Sequence, residues 1–311
     1  MKISKKNILL IFLLTLIPFL WGVSTVYLKI FPFNELQTVK NFVFPEISNS
    51  NNVLLKKFYL RSPNPNKNRI LSLPYLKEFS LKQSNFEINK SLVFVTFGQS
   101  NSVNHGQIGY VVRSPVYMVH QGRIYSYEEP ALGGTGKNGS VWGMVGDKII
   151  ERSDIDSVYF TMTGFGGVTM EELNTEIYFN YFIDEIKNTK NLFGKVDGIL
   201  IHQGEANHAN LQGSEEYFLT FKQLFSKINE DFKVPIFLSQ TSLCGVNKTD
   251  PELLAIQNRI IVTMQGVLRG PNADSLHEPK YRLPDRCHFS MLGFDSYSNL
   301  WVSRILTPSE K

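Results

Sequence analysis

The apolar residues of this chain change their rhythm twice. From Ile8 to Leu28 they run on without a charge, whereas beyond about residue 90 they fall into short blocks divided by polar, glycine-bearing turns. Leu92 to Phe97, Val158 to Met162, Ile199 to Ile201 and Ile236 to Leu238 are such blocks. Each is short and largely β-branched or aromatic, the pattern of parallel strands buried on both faces. Helical periods lie between them. Tyr217, Phe221, Leu224, Phe225 and Ile228 share one face behind Ser214 as N-cap. Asp250-Pro251-Glu252 reads as N-cap, N1 and N2 of a helix carrying Leu253, Ile256, Ile260 and Met264 on one side. A last helix is expected from Ser290, burying Met291, Phe294 and Trp301. Strand–helix alternation predicts an α/β fold with a doubly wound parallel sheet, whose sites form at the carboxyl ends of its strands.

The uncharged run would make a helix roughly 31 Å long, about one hydrocarbon thickness. Lys2, Lys5 and Lys6 precede it, and Trp21 and Tyr27 suit the far interface. Residues 1–30 are therefore expected to form a signal anchor or transmembrane segment. A cleaved signal peptide, ending near Gly22-Val23-Ser24, is the alternative. Residues 31–89, with polar stretches between short apolar runs, form a stalk or N-terminal extension, and residues 90–311 the main domain. The expected location of that domain is outside the cytoplasm, periplasmic or extracellular, and secreted if the leader is cleaved.

Composition narrows the function classes. The 311 residues are 42% hydrophobic and 19% charged, a globular profile that excludes a mainly disordered chain. The net charge of +4 equals the contribution of Lys2, Lys5, Lys6 and Lys29, because the first thirty residues contain no Asp or Glu. The rest is formally neutral, so no nucleic-acid partner is expected. Two cysteines, Cys244 and Cys287, are too few for a disulfide scaffold or a four-thiolate zinc site.

Four strand ends carry polar groups that a core does not need. Gly98-Gln99-Ser100-Asn101-Ser102 can present the Ser100 hydroxyl at the sheet edge, although Ser102 departs from a G-x-S-x-G elbow. Gly164-Phe165-Gly166-Gly167 allows close backbone approach and exposed N–H groups, or a plain βα turn. His202-Gln203-Gly204-Glu205 follows an apolar strand. With His208 it invites a metal reading, but the spacing is not that of H-E-x-x-H, and no metal is expected. Asp285-Arg286-Cys287-His288 can set a carboxylate against one imidazole nitrogen while the other faces a nucleophile. Ser, Asp, His is a workable triad order, since triads are known by geometry rather than by sequence position.

Together these blocks resemble the SGNH hydrolases, in particular the sialate O-acetylesterase and acetylxylan-esterase-like carbohydrate esterases. Gly98 to Asn101 is similar to that family's nucleophile block, Gly139-Ser140-Val141-Trp142 with Gly146-Asp147 to the segment before its second strand, and Gly166-Gly167 to its glycine block. His202 to Glu205 is similar to the third block and Asp285 to His288 to its D-x-x-H block. The resemblance implies a three-layer, flavodoxin-like sheet and an acyl-enzyme mechanism. Ser100 would be the nucleophile, His288 the base and Asp285 its orienting partner, with the backbone N–H of Ser100 and Gly167 and the Gln203 amide as oxyanion donors. It implies an acetylated carbohydrate substrate and no metal or organic cofactor. Ser102, Val168 and Leu173 depart from the commonest pattern, at positions that would touch substrate or brace the turn. His105, His120 and His277 stand outside any motif and read as structural or surface residues. In this fold the loops of Cys244 and Cys287 would be neighbours. A disulfide worth up to ~4 kcal/mol and two separate buried thiols both remain open. A membrane-tethered polysaccharide O-acetyltransferase with the same triad and a non-catalytic, anchored glycan-binding protein are the rival functions. The expected cleft is open and shallow.

Overall fold

Val93, Phe94, Val95 and Phe97 are all buried, so the strand that carries them, β2 (Ser91–Gly98), is covered on both faces and central. The computed structural model describes residues 78–308 apart from 80, 85, 210–212 and 246–247. The expected anchor and most of the stalk lie outside the described residues.

Among the described residues the chain forms one eight-stranded sheet, in the order β1-β4-β3-β5-β2-β6-β7-β8. Its other strands are β1 (Glu78–Phe79), β3 (Val116–His120), β4 (Arg123–Ser126), β5 (Ser157–Met162), β6 (Gly198–His202), β7 (Ile236–Gln240) and β8 (Val267–Asn272). β3, β5, β2, β6, β7 and β8 run parallel, and β4 and β1 add an antiparallel edge beyond β3. The chain goes from β2 to one side for β3 and β5, then crosses to the other for β6, β7 and β8. β2 is thus the point of reversal, where open α/β sheets leave a crevice at the carboxyl ends.

The helices are α1 (Trp142–Arg152), α2 (Met170–Leu173), α3 (Glu176–Phe193), α4 (Glu205–Ala209), α5 (Ser214–Asp231), α6 (Pro251–Thr263) and α7 (Met291–Leu306). Alternate residues of β2 face opposite cores, as a two-residue period requires. Phe94 joins Phe160, Trp142 of α1, and Tyr297 and Trp301 of α7. Val93 joins Val119, Tyr159 and Phe193 of α3 on the other face. α5 and α6 pack on each other, and α6 packs on β7 and β8. The four strands and three helices read from the sequence are present. Asp250 caps α6 by accepting from the N–H groups of Glu252 and Leu253, and Ser290 caps α7 by accepting from Gly293. α5 instead has Gly213 at its N-cap, one residue before the expected Ser214, and Met291 is only partly buried. Among the described residues, no helix is long and apolar enough to cross a membrane.

Candidate active site

The site begins at the end of β2, where the chain must turn without leaving its neighbour β6. Gly98 has φ +134, and a Cβ there would collide with the His202 carbonyl oxygen. Only glycine meets both conditions. The next residue staples the two turns together: Gln99 N–H donates to His202 O at 3.0 Å, and Gln99 Oε1 accepts from the N–H groups of Gly204 and Ala206 at 3.2 and 2.9 Å. Ser102 Oγ donates to Gln99 O at 2.6 Å and closes the turn from below. Ser100 opens this short 3₁₀ turn, so its own N–H is one of the helix-start donors, with no acceptor among the described residues.

Ser100 and Gly167 line one cleft of about 380 Å³ with His105, Glu205, Cys287 and His288. Gly167 is in the left-handed region at φ +70 and its N–H also lacks an acceptor among the described residues, whereas the Gly166 N–H donates to Thr135 Oγ1 at 2.7 Å. His288 comes from the loop before α7. Its Nδ1 lies 2.7 Å from Asp285 Oδ2, while Asp285 Oδ1 accepts from the backbone N–H of Cys287 and His288 at 2.9 and 3.0 Å. Burial pushes the Asp285 carboxyl up, but the hydrogen bonds from the His288 ring and these two N–H groups outweigh it and hold the pKa below the ordinary value. His288 Nε2 is screened from solvent and has no hydrogen-bond partner.

Three devices hold that loop. Cys287 is joined to Cys244 by a disulfide. Arg282 is buried, and its guanidinium donates to the carbonyls of Leu276, Cys287 and Ala273 at 2.8, 2.6 and 2.8 Å and stacks 4.0 Å from the Phe289 ring centre. Asn101 Nδ2 donates to Cys287 O at 3.2 Å, tying the loop to the turn of Ser100.

Beneath the turn lies a buried polar chain. Ser239 Oγ donates to Pro271 O at 2.9 Å and lies 2.8 Å from Tyr297 Oη. Tyr297 Oη lies 2.6 Å from His202 Nδ1. His202 Nε2 lies 2.6 Å from Glu205 Oε1, which also accepts from Asn101 Nδ2 at 3.0 Å. Burial raises the Glu205 pKa, but His202 and Asn101 outweigh it and bring it to about 2. Glu205 is a structural anion here. His208 turns away to Asp250 Oδ2 at 2.9 Å, so His202, Glu205 and His208 do not converge.

Two residues sit otherwise than the sequence reading expects. Gln203 is fully buried; its Nε2 donates to Asn207 Oδ1 at 2.6 Å and to Val168 O at 3.2 Å. Asn207 is itself oriented by donating to Glu171, so the Gln203 amide protons are committed to bracing the glycine turn and none is free for an oxyanion. His105, read as structural or surface, lies in the cleft with its ring stacked on His288 at 5.5 Å. Burial, and secondarily His288, lower its pKa to about 4, so it stays neutral beside the His288 ring. A Cβ on Gly166 would crowd the His105 ring, a second reason for paired glycines. Val168, Leu173 and Ser102 are buried and brace the turns. His120 is buried 3.8 Å from Glu185.

Residues 139–290 match the family model described as carbohydrate esterase, sialic acid-specific acetylesterase. Over that span the chain is similar to the sialic acid-specific carbohydrate acetylesterases. Its class is therefore that of the carboxylic ester hydrolases. Among solved structures, the esterase is similar to a protein from Arabidopsis thaliana, with 14% identity over 70% of this chain and 98% of that one and a TM-score of 0.58, which shows a common fold. A carbohydrate acetylesterase from Xanthomonas citri aligns at 14% identity over 68% of this chain and 55% of that one, with a TM-score of 0.45. No curated protein matches the esterase.

Proposed function

We propose that the esterase removes short acyl groups, acetyl above all, from carbohydrates through an acyl-enzyme on Ser100. The observation that carries this reading is the His288 ring. One nitrogen is bound to a carboxylate held ionised, and the other is partnerless on the cleft that Ser100 lines. Ser100 Oγ attacks the ester carbonyl as His288 Nε2 takes its proton, and Asp285 stabilises the imidazolium through Nδ1–H. The developing oxyanion is received by the N–H groups of Ser100 and Gly167. Loss of one such donor typically costs ~10²–10³ in turnover. The sugar hydroxyl leaves with the proton from His288, and water repeats the sequence in reverse to release the acid. Neutral His105 shields the His288 ring without adding a second positive charge beside it. We place the esterase outside the cytoplasm. The Cys244–Cys287 bridge suits an oxidising compartment, and the apolar run at residues 8–28 would tether it to a membrane.

The test is turnover of p-nitrophenyl acetate and of O-acetylated saccharides by the purified protein and its Ser100→Ala variant. A loss of at least ~10³-fold in the variant is expected, because the nucleophile is absent. Wild-type turnover that survives the substitution overturns the acyl-enzyme reading. Acetyl moved to an added glycan faster than to water would make the protein a transferase with the same nucleophile.

A further inference from the structure

Thr135 carries the only side chain in Gly133-Gly134-Thr135-Gly136, a loop outside the blocks that resemble the esterase family. The three glycines are there for close approach. A Cβ would strike the Met162 carbonyl at position 133, the Val103 side chain at 134 and the Asn104 carbonyl at 136. The loop therefore lies against both the end of β5 and the exit of the Ser100 turn. Tyr181 of α3 donates to Gly133 O at 2.7 Å and holds it there.

From this loop Thr135 reaches two parts of the site. Its N–H donates to Gly164 O at 3.1 Å, and its Oγ1 accepts from the Gly166 N–H at 2.7 Å and lies 3.2 Å from His105 Nε2. The Phe165 N–H is tied to Gly98 O at 2.9 Å, so the glycine turn is fixed as far as Phe165. Beyond it, among the described residues, the Thr135 hydroxyl makes the only hydrogen bond to Gly166 or Gly167. Two glycines leave the peptide between them wide freedom, whereas an oxyanion donor must stand ~3 Å from the developing charge. The second part is the base. The Asp285 carboxylate fixes the place of His288 Nδ1 but leaves the ring free to tilt about that bond. The His105 ring, 5.5 Å between centres and 23° from parallel, limits the tilt. His105 itself lies in a slot that a Cβ on Gly136 or Gly166 would invade.

We propose that Thr135 is a positioning residue of the esterase: its one hydroxyl aims the Gly167 N–H at the developing oxyanion and, through His105, keeps the His288 ring turned toward Ser100. The proposal rests on the esterase reading above and adds a residue to it. The two parts it joins come from opposite sides of β2, since the glycine turn follows β5 and His288 follows β8. Gly166 is exposed, so water can take its N–H when the hydroxyl is absent, and the fold survives. Turnover does not, because reacting groups misplaced by ~1 Å lose up to ~10²-fold.

The experiment measures kcat and KM for p-nitrophenyl acetate in Thr135→Val, which keeps the shape and removes the hydroxyl, and in Thr135→Ser, which keeps the hydroxyl. Thr135→Val is expected to lower kcat by ~10–10²-fold with KM changed no more than about threefold, and Thr135→Ser to stay within about threefold of wild type in both. His105→Ala should also lower kcat, and the Thr135→Val, His105→Ala double variant should lose less than the product of the two single losses, because the pair acts as one unit. Should the valine variant fail to fold, Thr135→Ala against Thr135→Ser poses the same question, since both lack the methyl group and only serine keeps the hydroxyl. A folded valine or alanine variant with wild-type kcat would overturn the proposal. So would a serine variant as slow as the one without a hydroxyl, or single losses that multiply in the double variant. Wild-type turnover that does not depend on Ser100 would sink the esterase reading itself, and the positioning role with it.

Discussion

Replacing Cys244 and Cys287 together by alanine separates two jobs that the bridge could have, stabilising the chain and aiming His288. The bridge spans 43 residues, and in the chain-entropy model a loop of that size contributes about 4 kcal/mol. With a urea slope of ~2 kcal/mol/M, the double variant should unfold at a midpoint lower by about 2 M. Catalysis should behave differently. Arg282 holds the Cys287 carbonyl at 2.6 Å while bonded to the carbonyls of Ala273 and Leu276 in the preceding turn, and Asn101 ties Cys287 to the nucleophile turn. The Asp285–His288 pair therefore keeps its setting without the bridge. In dilute buffer, well below the unfolding transition, kcat for p-nitrophenyl acetate should fall no more than about threefold, under ~1 kcal/mol. Urea titration followed by circular dichroism and steady-state kinetics on the same samples decide it. A midpoint shift below about 0.5 M would refute the entropic argument, since it leaves ~1 kcal/mol for the bridge. A collapse of kcat in a folded variant would refute the claim that Arg282 and Asn101 suffice to hold the loop.

Gly98→Ala should leave little folded protein, because its Cβ meets the backbone of β6 rather than a movable side chain; a melting temperature within a few degrees of wild type would contradict the close approach. Glu185 is buried, which raises its pKa to about 7, so the folded state binds a proton between its ordinary value and pH 7 that the unfolded chain has released. Stability is then lost as pH rises through that window, by up to ~3 kcal/mol. Glu185→Gln should accordingly raise the melting temperature more at pH 8 than at pH 5, and equal shifts at both would sink the assignment. Gln203→Ala should cost roughly 1–3 kcal/mol of stability, as loss of a buried hydrogen-bonded amide does. A ~10²–10³-fold fall in kcat with stability intact would instead restore Gln203 as an oxyanion donor.

What the sequence made legible, and what it hid, follows from how local each signal is. β2, β5, β6 and β7 were readable because strands buried on both faces leave unbroken apolar runs. The β3–β4 hairpin was not seen, although its two-residue loop, Gln121-Gly122, carries positive φ at both positions, 50 and 71, as a type I′ turn requires. β8 was hidden because Gly270 and Pro271 lie inside it and read as a loop. Gly270 is there because a Cβ would strike the Leu238–Ser239 backbone. At the site, the Asp285–His288 pair is local, three residues apart, and could be read. His105 was missed because its contact with His288 is made only by the fold. The Gln203 side chain was misjudged because its direction is set by Asn207, which is set in turn by Glu171 on another helix.

The central claim, that Ser100 is the nucleophile, is tested most directly by labelling the purified protein with a fluorophosphonate and mapping the adduct by peptide mass spectrometry. The account predicts a single phosphonylated residue, Ser100, with labelling lost in His288→Ala and acetate release falling in step with occupancy. An adduct on another serine, or no adduct on a protein that releases acetate, would contradict it.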